Sequence, residues 1–152
     1  MVDILHRIGA KTPTPEAMYE ALTTIDGLAG WWTERTTGDA GLGGTVRFRF
    51  PGADHDDPGF DMEVAEAVPA ERVVWRVVDG PAEWVGTTIE WDLRQDGDWT
   101  IVLFAHRGWR EPVEFMHHCS TKWAVFLQSL KALVEGDDAA PSPRDVKIDD
   151  WN

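Results

Sequence analysis

Cysteine is almost absent: Cys119 stands alone in 152 residues, so no internal disulfide can form and no cysteine-based zinc site can be assembled. Positive charge is scarce too. Fourteen lysines and arginines face 27 aspartates and glutamates, a formal net charge of -13, so a phosphate backbone or an anionic membrane surface is repelled on average. Nucleic acid is therefore not an expected partner. No run reaches the roughly 20 apolar residues that a spanning helix needs. Met1 to Ala10 carries Asp3, His6 and Arg7 where a leader would be apolar, so membrane insertion is not expected and the setting reads as cytoplasmic. Neither a nucleophile elbow nor a metalloprotease helix occurs.

What the chain does have is a long amphipathic stretch near its end. From Glu111 to Gly136, Val113, Met116, Ser120, Trp123, Leu127, Leu130 and Val134 recur at spacings of three and four, and Phe115, Cys119, Phe126 and Leu133 widen the stripe. Pro112 suits a first helical position and Gly136 the residue past the end. The pattern predicts one long helix with a face to bury, and 43% hydrophobic content, including nine tryptophans, supplies one core to bury it in.

Upstream, Val2, Ile4, His6 and Ile8 alternate as a strand does. Thr14 and Pro15 open a helix whose face is Met18, Ala21, Leu22 and Ile25, with Gly27 expected at its end, and Leu28 to Trp32 forms a second, very short helix. Thr33 to Gly44 is polar and glycine-rich and is expected to be a surface loop. Its glycines have neither the spacing of a dinucleotide fingerprint nor a following Gly-Lys-Ser/Thr, and the next element is a strand, so it is not a phosphate cradle. Five strands follow: Val46 to Phe50, one beginning at Phe60, Arg72 to Val78, Thr87 to Leu93, and Thr100 to His106 after the Asp96-Gly97-Asp98 hairpin turn. Short turns make them an antiparallel meander with one wet face, and only the long helix can cover the other. The expected fold is α+β: a curved six-stranded antiparallel sheet wrapped around the C-terminal helix, with two short helices after the first strand. Residues 1–136 form this domain. Residues 137–152 read as a polar tail, in which Val146, Ile148 and Trp151 are able to dock on this or another subunit.

The residues also resemble a known family. The Pro-Glu start, Ala21-Leu22-Thr23 and Trp31-Trp32 within Thr14 to Thr33, the Gly44 to Phe50 strand, and the Val-Pro-Ala-Glu-Arg-Val turn before Trp75 are similar to bacterial relatives of the C-terminal domain of the activator of the ninety-kilodalton heat-shock-protein ATPase. So are Thr100, His106 and Gly108, and Trp123 with Leu127, Leu130, Lys131, Leu133, Glu135 and Gly136. That group falls in the superfamily of lipid-transfer domains, polyketide cyclases and the major birch-pollen allergen. The resemblance implies a helix-grip fold with a hydrophobic cavity; it does not imply a shared ligand, a portable catalytic set or heat-shock-protein activation.

Alternation nominates the cavity wall: Trp31 or Trp32, Phe48, Phe50, Phe60, Met62, Trp75, Ile89, Trp91, Phe104, Met116, Cys119 and Trp123. The expected partner is a small hydrophobic or amphipathic molecule, and no cofactor is expected. If Thr100, Val102, Phe104 and His106 face the helix, His106 sits at the cavity mouth near Arg107 and Glu83 as the one candidate general base; in the opposite register it lies in water. That base would serve a cyclase- or hydrolase-like enzyme acting on a hydrophobic carbonyl compound. A third arrangement is an interaction or co-chaperone-like module, with Trp99, Trp109 or Trp151 exposed to form a homodimer or partner surface. No metal site is expected: His117, His118 and Cys119 are adjacent on a helix and point apart, His118 away from the buried stripe. The acidic stretch Asp54, His55, Asp56, Asp57 and Asp61 holds Pro58 where a calcium loop wants a ligand.

Overall fold

A computed structural model describes residues 1–51 and 57–152, and Asp54, His55 and Asp56 of the acidic stretch lie outside the described residues. The elements run β1 (Val2–Lys11), α1 (Glu16–Thr23), α2 (Ile25–Trp31), β2 (Arg35–Gly38), β3 (Thr45–Phe50), β4 (Asp57–Val68), β5 (Arg72–Asp79), β6 (Thr88–Asp96), β7 (Trp99–Trp109) and α3 (Glu114–Glu135). The sheet is antiparallel throughout, in the order β1-β7-β6-β5-β4-β3-β2. It is a helix-grip α+β fold, with α3 packed on the inner face and α1 and α2 at one end.

Among the described residues the sheet has seven strands where six were expected. The extra one, β2, lies in the stretch read as a surface loop; its Thr36 pairs with Phe48 and is buried, while its neighbours in the strand are exposed. A strand with one buried threonine carries no apolar alternation to betray it. Gly27 likewise does not end α1. Thr24 breaks the chain there, its hydroxyl accepting the Gly27 N–H at 3.0 Å as the cap of α2. A Cβ on Gly27 would lie 2.7 Å from the Cα of Ala21, so this glycine lets the two helices meet. The long helix begins at Glu114, past Pro112, and closes as expected on Gly136 in the left-handed conformation, φ 81°.

Inward positions of β3 to β7, with the tryptophans of α2 and the buried face of α3, feed one largely aromatic core. Trp31, Trp32, Phe48, Trp75, Trp91, Phe104 and Trp123 are all buried, with Trp32 in ring contact with Phe48, Trp75 and Trp123. Trp109, expected among the exposed tryptophans, is buried as well, whereas Trp99 and Trp151 are about half exposed. The outer face of the sheet is held by charge. Arg72 bonds Glu66, Glu90 and Asp92, which pushes its pKa up, and Arg107 bridges Asp3 and Glu90. At the sheet edge the end of α3 caps β1: Lys131 donates to the Gly9 carbonyl at 3.0 Å and Glu135 accepts the Lys11 N–H at 2.6 Å.

Residues 137–152 are not loose. Ser142 bonds backbone to backbone with Trp32 and Glu34, Ala140 donates to Ser129 Oγ, and Asp145 is buried in an ion pair with Lys122. The segment forms a strap across the side of α3 that the sheet leaves open. Among the described residues no helix is long and apolar enough to cross a membrane.

Candidate functional site

Between the inner face of the sheet, the 82–86 turn, α3 and the strap lies a cavity of about 130 Å³. Its wall is aromatic: Trp32 from the end of α2, Phe50 and Phe60 from β3 and β4, Trp84 from the turn, and Phe115, Trp123 and Phe126 from α3. Trp84 stacks on Phe60 with centroids 4.3 Å apart and lies nearly parallel to Trp123. Pro81, Cys119, Lys122 and His118 complete the inner rim, and Trp151 and Asn152 close it from the strap.

Of the residues nominated by alternation, Trp32, Phe50, Phe60, Cys119 and Trp123 meet at this cavity. Trp31, Phe48, Met62, Trp75, Ile89, Trp91 and Phe104 do not; they are packed into the solid core behind it, because the aromatic side chains of neighbouring strands fill the space between sheet and helix. Met116 is partly buried against the core and is not among the lining residues. Sequence reasoning missed Pro81, Trp84, Phe115, His118, Lys122, Phe126, Trp151 and Asn152. Phe115 and Phe126 sat in the stripe widening the helix face, a signal that was available. Trp84 lies in a short turn, Ala82 to Gly86, too brief to show a period, and the strap residues have no periodicity at all.

His106 does face inward with Thr100, Val102 and Phe104, but it is not at the cavity mouth. It is fully buried behind Trp84 and Trp123, and Arg107 points instead to the ion pairs of the outer face. Trp123 Nε1–H donates to its Nδ1 at 3.2 Å, and Thr87 Oγ1 lies 2.8 Å from its Nε2. Thr87 donates its own proton to the Trp84 carbonyl at 2.6 Å, so Nε2 must carry hydrogen and the ring is the neutral Nε2–H tautomer. Burial pulls its pKa down to about 3, partly offset by Asp3. Both ring nitrogens are committed to the fold, which leaves no lone pair for a substrate.

The cavity's other polar groups differ in what they can still do. Burial pushes the Cys119 thiol up to about 12, with the Trp84 indole pulling slightly the other way, so the sulfur stays protonated and is no nucleophile. Among the described residues Trp84 Nε1 is buried without a partner at hydrogen-bond geometry, as are the indole nitrogens of Trp75, Trp91 and Trp109. Lys122 Nζ donates to Asp145, to the Val146 carbonyl at 2.9 Å and to the Asn152 carbonyl at 3.5 Å, so its protons are spoken for. His118, expected to point away from the buried stripe, meets the strap instead of open water. The strap covers that side of α3, and its Nδ1 lies 2.6 Å from Asp149 Oδ2. Among the described residues no group of His, Cys, Asp and Glu has the arrangement to hold a metal ion.

The sequence profile of the family described as "Activator of Hsp90 ATPase homolog 1-like protein" matches residues 12–135. In structure the chain is similar to the Aha1 dimer from Colwellia psychrerythraea solved in solution, with 44% identity over 89% of this chain and 97% of that one and a TM-score of 0.76. It shares its fold with CalU16 from Micromonospora echinospora (18% identity, 93% and 77% covered, TM-score 0.70). The same holds for SSP2350 from Staphylococcus saprophyticus (15% identity, 93% and 98% covered, TM-score 0.72). No curated protein matches the sequence.

Proposed function

This chain belongs to the activator of Hsp90 ATPase homolog 1-like family, and from that premise we propose that it binds one small apolar or amphipathic molecule in the cavity between the sheet and α3. The observation that carries the reading is the aromatic wall itself, with Trp32, Phe60, Trp84 and Trp123 around an opening of about 130 Å³. A dry apolar cavity of roughly 150 Å³ is known to admit benzene. One ring or a short branched chain is of a size that this opening admits. An enzyme working through His106 loses support, because that imidazole has no free nitrogen. The setting we infer is cytoplasmic, supported by the lone free thiol of Cys119.

Mass spectrometry of the purified protein, native and then denatured, tests the binding reading. A defined small molecule held at near one per chain and released on unfolding is the expected result. An empty protein that also fails to take up any single-ring probe would overturn it.

A second reading has its own observation: the Colwellia psychrerythraea relative is named as a dimer. We infer that this chain self-associates as well, through the outer face of β1 and β7, where Leu5, Trp99 and Leu103 are exposed. Sedimentation over a hundredfold range of concentration is expected to show a dimer that Leu103→Glu dissociates; a monomer at every concentration would sink it.

A further inference from the structure

We propose that Trp151 is a movable partition that sets the size of the ligand. With its ring in place the aromatic cavity takes one ring. With the ring turned aside the cavity joins the groove beside it and takes a longer amphipathic molecule, aromatic at one end and hydrogen-bond donating at the other. The proposal rests on the small-molecule reading above and adds to it the size and chemistry of the ligand.

Two hollows lie side by side along α3. One is the cavity of about 130 Å³, and the other is a groove of about 230 Å³ whose wall includes Glu114, His117 and Thr121 from the helix and Asp149 and Asp150 from the strap. Among the described residues only His118 and Trp151 line both, and their rings meet edge to face with centroids 5.4 Å apart. That pair of rings is the wall between the hollows. Its two halves are held differently. His118 stands on the second turn of a 22-residue helix. Trp151 is half exposed, whereas Trp32, Trp84 and Trp123, the other indoles of the cavity, are 4% exposed or less.

The segment that carries Trp151 is lightly tied. Residues 140–145 are bonded to the backbone of Trp32 and Glu34 and to Ser129, and Asp145 is buried. Beyond Asp145 the backbone bonds close on the segment itself, from the Ile148 N–H to the Asn152 carbonyl at 3.0 Å and from the Asn152 N–H to the Asp149 carbonyl at 3.2 Å. Side chains of α3 supply its hydrogen bonds to the body of the domain: His118 to Asp149, and Lys122 to the Val146 and Asn152 carbonyls. Turning the indole outward breaks none of these. It forfeits ring contacts with Phe115, at 6.4 Å, and with His118, and it uncovers no core, so it belongs to the low-cost local motions of a fold.

The joined space is apolar at one end and acidic at the other. On the cavity side the charge of Lys122 is met by Asp145, while in the groove Glu114, Asp149 and Asp150 offer acceptors and repel a carboxylate. A hydroxyl on a short chain suits that end.

Toluene fits the cavity alone, phenylbutanol is long enough to enter the groove, and phenylbutyrate has the same length but ends in a carboxylate. Their affinities for wild-type protein, Trp151→Ala and Trp151→Phe are measured by isothermal titration calorimetry, with thermal melts to verify that the variants fold. The ratio of phenylbutanol to toluene affinity is expected to rise about threefold to tenfold in Trp151→Ala, where no ring has to be displaced, and to stay near the wild-type ratio in Trp151→Phe, which keeps a ring in the wall. Phenylbutyrate is expected to gain nothing over toluene in either variant. A ratio unchanged by Trp151→Ala, with toluene still bound, would overturn the partition and leave the cavity reading intact. An equal gain for phenylbutyrate would overturn the donor-ended chemistry. Failure of toluene to bind wild-type protein would remove the cavity reading and this proposal with it.

Discussion

Trp123 on α3 and His106 on β7 share a hydrogen bond in which the indole is the donor and Nδ1 the acceptor, 3.2 Å apart, in the middle of the core. Protonating that nitrogen would set two N–H groups against each other. The fold thus holds the imidazole neutral, and the imidazole in turn holds the tryptophan that forms the cavity floor.

The first consequence is a pH dependence. The folded chain keeps His106 near 3 against an ordinary value of 6.5, so the unfolded chain takes up this proton first as pH falls. The contribution is complete above 6.5 and is lost at about 1.4 kcal/mol per pH unit on the way down to the folded value. Urea unfolding of wild type and His106→Gln at pH 7 and pH 5 is expected to show the stability gap between them shrinking by about 2 kcal/mol at the lower pH. A gap that does not move with pH would mean the ring is charged or solvated in the folded state.

Trp123 is 2% exposed and touches Trp32, Trp84 and Phe104 while forming part of the cavity wall. Trp123→Ala is expected to cost about 3–5 kcal/mol in chemical denaturation, as for a packed aromatic. Trp123→Phe keeps the ring but leaves His106 Nδ1 without its donor, at about 1–3 kcal/mol. A loss under about 1 kcal/mol for the alanine variant would show the ring to face open space.

The strap is pinned by Lys122 and Asp145, whose carboxylate is fully buried and also meets Lys147 at 3.1 Å. Removing one partner strands a buried charge, so Asp145→Ala should lose about 3–5 kcal/mol, and replacing both, Lys122→Met with Asp145→Leu, should restore most of it. Thermal melts of the three variants check this. We expect a chain ending at Gly136 to melt no higher than Asp145→Ala; full stability after that truncation would make residues 1–136 self-sufficient.

Gly38 ends β2 at φ +108°, where a Cβ would lie 2.2 Å from the Thr45 carbonyl oxygen. Gly43, at φ +81°, has nothing within 4 Å of its Cβ position. Gly38→Ala is expected to cost about 3 kcal/mol and Gly43→Ala about 1 kcal/mol by urea titration. Equal costs would attribute both to backbone conformation alone.

Periodicity made α3 and the strands β3 to β7 readable before any coordinates, because each buries one face and the buried residues recur at the element's own spacing. It also put His106 on the inner side of β7. Periodicity does not say how deep a residue lies, so Phe48, Trp75 and Trp91 were as good candidates for the cavity wall as Phe50 and Phe60. Only the packing of rings from several strands separates a filled core from the gap beside it. For β2 the pattern was silent: Arg35-Thr36-Thr37-Gly38 is a strand because β3 offers it an edge.

What the sequence determined by itself is the helix-grip architecture: alternation, turn residues and one amphipathic helix each act locally, and together they admit one layered arrangement. What only the tertiary structure decided is the site. Trp84 reaches the cavity from a turn, Trp151 and Asn152 from the strap, and His118 is turned from a surface residue into a wall residue by Asp149. Those contacts join residues far apart in the chain through hydrogen bonds and ion pairs. Such bonds depend on where side chains meet in space and leave no period along the sequence.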